Sequence, residues 1–410
     1  MDKVDRAAAV RSIAIVCAAQ VLVQIGAFFW PALLPEMMAR WSLTNSEAGW
    51  ITAVFYAAYI VAVPVLVTLT DRIDAKRVYL CGVALTILGH GLFAAFADGF
   101  WSAFAARALT GIGWAGTYMT GLKLLADKVD GPLLSRAAAG HAASIGISGA
   151  LSFACADLLA NIGGWRLAFI AAAVSACCAW ILVALAIPGH ARPAVSSKES
   201  TAIFDFRPVL RNRSAMAYAI AYCIHTFEMS ALRGWGVAFL GFVAVTTGTG
   251  GSGLSPALTL TLFGLLGTLA SVLGNEAAIL FGRRRLIAIA MIGSAACAIL
   301  LGIAGPHSYI LAAVLILIYG PVIWLDSSSL TAGTAGTADP ARRGATLAVH
   351  SMLGYLGGFV GPLAVGWTLD FQGANTAGWA TAFSGIAALS VLAMIVFLIM
   401  RPRALEGDRP

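Results

Sequence analysis

Charge is scarce in this sequence. Only 11% of its 410 residues are Asp, Glu, Lys or Arg, while 60% are hydrophobic. A soluble domain carries roughly 25% charged residues, so an ordinary water-soluble globule is excluded. Polar stretches are equally scarce: residues 189–213, with five basic and two acidic side chains, form the one long polar segment. The alternating segments of about ten residues that build a membrane β-barrel are missing. So is any Gly-x-x-x-x-Gly-Lys-Ser/Thr phosphate loop, or a soluble stretch to house one, which argues against nucleotide hydrolysis as a driving force. The seven cysteines, at 17, 81, 155, 177, 178, 223 and 297, have neither metal nor disulfide spacing and read as packing residues. Paired catalytic carboxylates, a His-rich metal cluster and a nucleophile motif are also absent. An enzyme, a bound metal and a cofactor are therefore not expected.

What fills the chain instead is a series of long apolar runs, each able to cross about 30 Å of hydrocarbon as a helix. They predict an all-α polytopic membrane protein with twelve transmembrane helices. The spans fall at residues 12–37, 45–70, 78–97, 101–126, 137–160, 165–188, 214–245, 256–281, 286–304, 309–336, 344–369 and 378–400. The polar segment divides them into an N-terminal six-helix bundle (1–188), a central linker (189–213) and a C-terminal six-helix bundle (214–410). Thr44 and Glu47 fit a capping box that starts the second span. A net charge of +7 would suit a nucleic-acid partner, but the basic residues are placed otherwise. Of 26 Lys and Arg, all but five lie in the tails, the central segment or the loops on one side. Arg40 and Arg166 lie on the other side, and Arg107, Lys123 and Arg233 lie within spans. This is the positive-inside pattern. It supports the count of twelve, puts both termini in the cytoplasm and makes the lipid bilayer the partner, not nucleic acid. The first apolar run lacks a small-residue cleavage site, so no cleavable signal peptide is expected. The Ala- and Gly-rich composition suits a bacterial inner membrane.

The two halves echo each other. Asn161, Gly164, Trp165, Ala168 and Phe169 recur 214 positions later as Asn375, Gly378, Trp379, Ala382 and Phe383, and the loop at 71–77 aligns with 279–285. Two parallel six-span repeats, with a substrate site between them near the midplane, are a transporter architecture. Asp71, Arg72 and Lys76 match part of the loop 2–3 signature Gly-x-x-x-Asp-Arg/Lys-x-Gly-Arg/Lys-Arg/Lys of the major facilitator superfamily. Gly282, Arg283 and Arg284 match the other part in the second copy. Arg107-Ala-Leu-Thr-Gly111-Ile-Gly113 is similar to that family's span-4 pattern Arg-x-x-Gln-Gly-x-Gly, with Thr110 in the Gln position. The chain thus resembles this family over essentially its whole length. It departs at Val67, Asp74 and Ala75 in the first loop and at Ile279, where the second copy has lost the acid. Span 5 also lacks the Gly-Pro signature of the family's drug antiporters. The resemblance implies the family's fold, a monomer, and loops that brace helices and control their sliding. That makes Asp71, Arg72, Lys76, Arg283 and Arg284 gating candidates; the same charges would equally serve only to enforce topology.

Polar residues within the spans are few enough to name. Arg107, Gly111, Trp114 and Tyr118 fall on one face of span 4, with Gly111 opening space beside the Arg stem. A buried Arg is costly in a membrane and normally faces a cavity or a partner. Asp157 in span 5 is the candidate partner, and a purely structural Arg–Asp pair is the alternative to a substrate site. Lys123 is expected to reach the interface. Span 7 is the most polar: Tyr222, His225 and Glu228 follow in i+3 steps, and Arg233 points about 140° away from Glu228. A mid-span acid beside a histidine suits a proton carrier, or a satisfied structural network. Tyr319 and Asp326 share a face of span 10, and Gln20 and Gln24 lie one turn apart in span 1. Glu276 reads as an ion-pair partner of the basic cluster Arg283–Arg285. Gly354, Gly357, Gly358 and Gly361, beside His350, form a stripe in span 11 for close helix approach.

Together these features point to a secondary active transporter working by alternating access, driven by a gradient, most simply of protons. Arg107 and Arg233 favour a small organic anion as substrate. Trp30, Trp114, Tyr118, Tyr222 and Trp235 would enclose its apolar portion. Glu228 and Asp326 leave open an exporter of lipophilic or cationic compounds. A non-transporting receptor or membrane assembly factor on the same fold is the alternative of another class. An extended sensory loop would favour it, and the sequence shows none.

Overall fold

The computed structural model describes residues 3–70, 72–129, 131–189, 206–249, 253–405 and 408. Nearly all of these are helical, and no strand occurs among them. Backbone groups in hydrocarbon have no water to bond, so long apolar runs resolve as helices that satisfy themselves. The twelve spans expected from the sequence are present. Span 1 comprises Lys3–Gln24, Phe29–Ala32 and Leu34–Trp41; spans 2, 3 and 4 are Asn45–Leu69, Ala75–Phe96 and Phe100–Ala126. Spans 5 and 6 share the helix Gly131–Ala186, which bends at Gly163 and Gly164, the latter at a left-handed φ of 77°. Spans 7, 8 and 9 are Arg213–Thr246, Pro256–Phe281 and Arg283–Ala304. Span 10 comprises Tyr309–Trp324 and Ser327–Thr337, and spans 11 and 12 are Arg343–Gln372 and Thr376–Met400.

Side-chain caps set many of the starts. The capping box forms: Thr44 N donates to Glu47 Oε2 at 2.9 Å, and Glu47 N to Thr44 Oγ1 at 3.2 Å. Asp74, Asn212, Ser255, Ser308 and Asn375 cap spans 3, 7, 8, 10 and 12 by accepting from first-turn amides. Large apolar side chains such as Leu185, Val245 and Phe371 face outward, as a lipid-facing surface requires.

By contacts the chain forms two compact units, Met1–Leu33 with Val54–Ser196 and Leu34–Ala53 with Ser197–Pro410. In the first, span 3 packs most heavily on span 4, and span 1 on the helix of spans 5 and 6. In the second, span 7 packs most heavily on span 11. The glycine stripe is the reason: a Cβ at Gly357 would collide with the carbonyl oxygen of Cys223, and one at Gly361 with that of Phe227. The repeat is structural too. Trp165 and Trp379 are both buried, with ring centroids 6.4 Å from Phe169 and 6.1 Å from Phe383 respectively.

Two spans that read as continuous are broken. Span 1 stops at Gln24 and resumes at Phe29; span 10 stops at Trp324 and resumes at Ser327. At the first break, a Cβ on Gly26 would sit 2.6 Å from Ala172 Cβ and 2.7 Å from His90 Nε2, so only glycine allows this approach. Near the second, Pro321 removes a backbone donor, and Gly274 of span 8 lies against the carbonyl of Leu325. Among the described residues, each unit therefore has a helix interrupted beside buried polar side chains.

Candidate functional site

Among the described residues, the first unit buries a cation with no acid paired to it. Arg107 is only 2% exposed, and its Nη1 donates to the carbonyl oxygen of Ala27, inside the span 1 break, at 3.0 Å. The guanidinium lies over the Phe55 ring, 4.7 Å from its centroid, and its Nε has no hydrogen-bond partner. The expected pair with Asp157 does not form: Asp157 is half-buried, and Arg107 turns to the broken turn of span 1 instead. Gly111 admits the backbone of span 2 at Phe55 rather than clearing room for the Arg stem.

Beside Arg107 lies a cavity lined by Gln24, Ala27, Phe55, His90, Trp114 and Thr117, among others. Its volume of about 10 Å³ suits roughly one water molecule. Gln24 Nε2 donates to Thr117 Oγ1 at 3.4 Å, while Gln24 Oε1 and His90 Nδ1 are buried without hydrogen-bond partners. Tyr118 is committed elsewhere: its ring stacks on His141 with centroids 6.1 Å apart. Gln20 accepts from the Tyr79 hydroxyl at 3.3 Å. Lys123 pairs with Asp127 near the helix end.

The second unit buries acids. Glu228, 3% exposed, accepts from Ser294 at 3.2 Å and Ser390 at 3.0 Å on Oε2, and from the Tyr319 hydroxyl on Oε1. Spans 9, 12 and 10 thus converge on one carboxyl group of span 7. One turn away, His225 Nδ1 is 3.0 Å from Asp326 Oδ1, in the break of span 10. The Tyr222 ring lies between two imidazoles, 5.6 Å from His225 and 4.0 Å from His350 by centroids. Both His350 ring nitrogens meet threonine hydroxyls, Thr331 at 3.1 Å and Thr334 at 3.0 Å. Arg233 points away from Glu228, its Cζ 4.7 Å from the Trp324 ring centroid. Trp30 and Trp235 are core residues, the latter donating to the Pro362 carbonyl oxygen at 2.9 Å.

Of the gating candidates, Asp71 lies outside the described residues. Arg72 and Arg284 are exposed, whereas Lys76 Nζ donates to the Ala184 carbonyl oxygen at 2.8 Å. Arg283 is buried, and its carboxylate partner is Asp408, 2.9 Å away, rather than the exposed Glu276. His90, Ser294, Ser390 and Asp408 were not singled out in the sequence. A lone small polar residue in an apolar span gives no periodic signal.

The described residues form a scaffold of long apolar helices, with a buried cation in one unit and buried acids in the other. The chain belongs to the Major Facilitator Superfamily, whose model matches residues 16–246, more than half its length. Protein spinster of Drosophila melanogaster is 24% identical over 271 residues, covering 64% of this chain and 44% of that protein. Spinster homolog 1 of Bos taurus is 25% identical over 288 residues, 66% of this chain and 54% of that one. The chain thus aligns with about half the length of these relatives. The sphingosine-1-phosphate transporter SPNS2 of Xenopus tropicalis is 25% identical over 392 residues, covering 88% and 74%. Among solved structures, an inward-facing, unoccupied bacterial homolog of the human lysosomal transporter spinster superposes with a TM-score of 0.73. That match has 14% identity and covers 98% of this chain and 96% of that one. Nucleoside transporter NupG matches with a TM-score of 0.74 and 15% identity, covering 95% and 99%. These structures share the fold.

Proposed function

We propose that this chain carries a small organic anion across the membrane by alternating access, coupled to protons. The observation that carries the proposal is Arg107: a buried guanidinium with no carboxylate partner among the described residues and one N–H without an acceptor. A charge left unpaired at such depth is costly, and the cargo's anionic group supplies the missing counter-charge. Phe55 and Trp114 beside it offer an apolar wall, so an anionic group on an apolar body fits best. The frog relative's name gives a phosphate-bearing substrate, which agrees with an anion. A cavity of about 10 Å³ is closed to any such solute, so entry requires the helices around the span 1 break to part. Glu228 is the coupling site in this proposal, since a buried carboxyl held by three hydroxyls can carry a proton without rearranging the helices. His225 and Asp326 form the second titratable pair. Asp71, Arg72, Lys76, Arg283 and Arg284 are assigned to gating. The protein is placed in a bacterial inner membrane as a monomer with both termini cytoplasmic, and segment 189–213 tethers bundles 1–188 and 214–410.

The test is thermal unfolding of the purified full chain against a panel of small organic anions and lipophilic cations. A ligand at one hundred times its dissociation constant should stabilise the folded state by about 2.7 kcal/mol. Stabilisation by anions, lost in Arg107→Ala, supports the proposal. Stabilisation by cations alone, surviving Arg107→Ala but lost in Glu228→Gln, would replace it with an exporter. No stabilisation and no flux in vesicles would favour a receptor.

A further inference from the structure

In the second copy of the loop signature the acid is gone: Ile279 stands where the first copy has Asp71. Arg283 is nonetheless buried, 3% exposed, and a carboxylate reaches it from far along the chain. Asp408 grips it in two places, Nε to Oδ2 at 3.0 Å and Nη2 to Oδ1 at 2.9 Å. The remaining nitrogen, Nη1, donates to Asn275 Oδ1 at 3.1 Å and to the Ser329 carbonyl oxygen at 3.3 Å. One guanidinium therefore ties together the end of span 8, the start of span 9, the second helix of span 10 and the C-terminal tail.

The tail is anchored at further points. After span 12 it turns at Arg401, the left-handed C-cap of that helix with a φ of 46°, whose N–H donates to the Phe397 carbonyl oxygen at 3.2 Å. Pro402 is buried. Arg403 N donates to Ser214 Oγ at 3.1 Å, and its carbonyl oxygen accepts from the Tyr218 hydroxyl at 2.9 Å, both on span 7. The Leu405 side chain fills the space over Gly336. Asp408 Oδ2 also accepts from Leu405 N at 3.1 Å, so the carboxylate that holds Arg283 folds the tail at the same time.

We propose that residues 401–405 together with Asp408 act as a clasp across one end of the C-terminal unit, with Asp408 supplying from the tail the acid that the second signature copy lacks. Engaged, the clasp fixes span 9 to spans 7, 8 and 10; released, it leaves those helices free to slide. Bidentate Arg–carboxylate pairs are strong and geometrically selective, and removing one partner leaves the other buried and uncompensated. The tail is then a control point for motion of this unit, separate from the Arg107 and Glu228 sites.

Hydrogen exchange of the full chain in detergent micelles tests this, read on peptides covering residues 401–405 and 284–290. Asp408→Asn should speed exchange in both peptides together, by about tenfold or more, the change expected for losing a charge-assisted hydrogen bond. Asp408→Glu should keep near-native rates. Arg283→Gln should reproduce Asp408→Asn, and the double variant should add nothing. If Arg283→Gln does not fold, Ser214→Ala removes the Arg403 anchor without touching a charge, and it should loosen both peptides as well. A tail that already exchanges freely in the native chain overturns the proposal. So does an Asp408→Asn chain whose span 9 peptide is unchanged, or an Asp408→Glu chain as loose as Asp408→Asn.

Discussion

Arg107 and Ala27 are joined by a 3.0 Å hydrogen bond that runs from a guanidinium to the carbonyl oxygen inside a broken helix. The break frees an acceptor that the helix no longer satisfies, and the arginine answers it with one of its five donors. Ala27 and Phe55, both in contact with the guanidinium, also line the cavity that Gln24 and His90 face. Substitution by lysine separates charge from geometry, because an ammonium is a point charge without the fork. Arg107→Lys is expected to fold but to bind the anionic ligand at least about tenfold more weakly, roughly 1.4 kcal/mol. Titration of ligand-dependent thermal stabilisation measures this. Equal affinity in the lysine variant would rule out recognition by the fork.

Glu228 calls for a pair of variants. Glu228→Gln keeps an acceptor oxygen for the hydroxyls of Ser294, Ser390 and Tyr319, and hydroxyls rotate to suit. Its stability cost is expected to be within about 1 kcal/mol. Glu228→Ala strands the buried hydroxyls of Tyr319 and Ser390, each costing about 1–3 kcal/mol if no new partner is found, while Ser294 keeps the Met291 carbonyl oxygen as acceptor at 3.1 Å. If protons drive the chain as proposed, Glu228→Gln should transport in vesicles without a dependence on pH that the native chain shows, since the amide does not titrate over the accessible range. Transport that stays driven by a proton gradient in this variant would move the coupling site to His225 and Asp326.

How much of this is legible in the sequence depends on range. The span count, the repeat centred on Trp165 and Trp379, and the capping box at Thr44 and Glu47 all follow from local pattern, and the structure has them. The burial of Arg107, Glu228 and Asp326 was legible for the same reason, since an ionisable residue in an apolar run stands out. Their partners were not. Asp157 looked like the match for Arg107 by depth alone, whereas the true acceptor is a backbone carbonyl that exists only because span 1 breaks. Gly26 was the available signal for that break, but one glycine among 44 is uninformative until His90 is seen pressed against it. Asp408 lies 125 residues from Arg283 and in a tail without pattern, so nothing local could pair them.

Asp370 has a capping role no local rule describes. Its carboxylate accepts from Asn45 N at 3.0 Å, Asn45 Nδ2 at 2.8 Å and Ser46 N at 2.8 Å, at the start of span 2. Helix N-termini carry free amides and partial positive charge, and here the acid that meets them comes from the end of span 11. Asp370→Ala is expected to cost about 1–2 kcal/mol, the usual worth of an N-cap. Asp370→Asn, which keeps one acceptor oxygen but loses the charge, should fall between. Thermal unfolding in micelles gives the ranking, and an alanine variant as stable as the native chain would reduce the contact to a passive one.

The close seam of spans 7 and 11 rests on glycine, and two glycines distinguish that claim from a general effect on helices. Gly357 touches the backbone of span 7 so closely that an added methyl would collide with the Cys223 carbonyl oxygen and crowd Thr226 Oγ1, at 2.7 Å. Backbone cannot yield as a flexible side chain can, so Gly357→Ala must push the helices apart. Overpacking of this kind costs about 1–3 kcal/mol. Gly91, in the interior of span 3, has nothing within 4 Å of where its Cβ would lie. Gly91→Ala should therefore be neutral or stabilising by about 0.5–1 kcal/mol, the ordinary gain from restricting the unfolded chain and improving helix propensity. Parallel melting curves of the two variants decide the matter. If both shift the same way by similar amounts, the stripe in span 11 matters only through propensity; opposite signs tie it to the approach of span 7, on which Glu228 is carried.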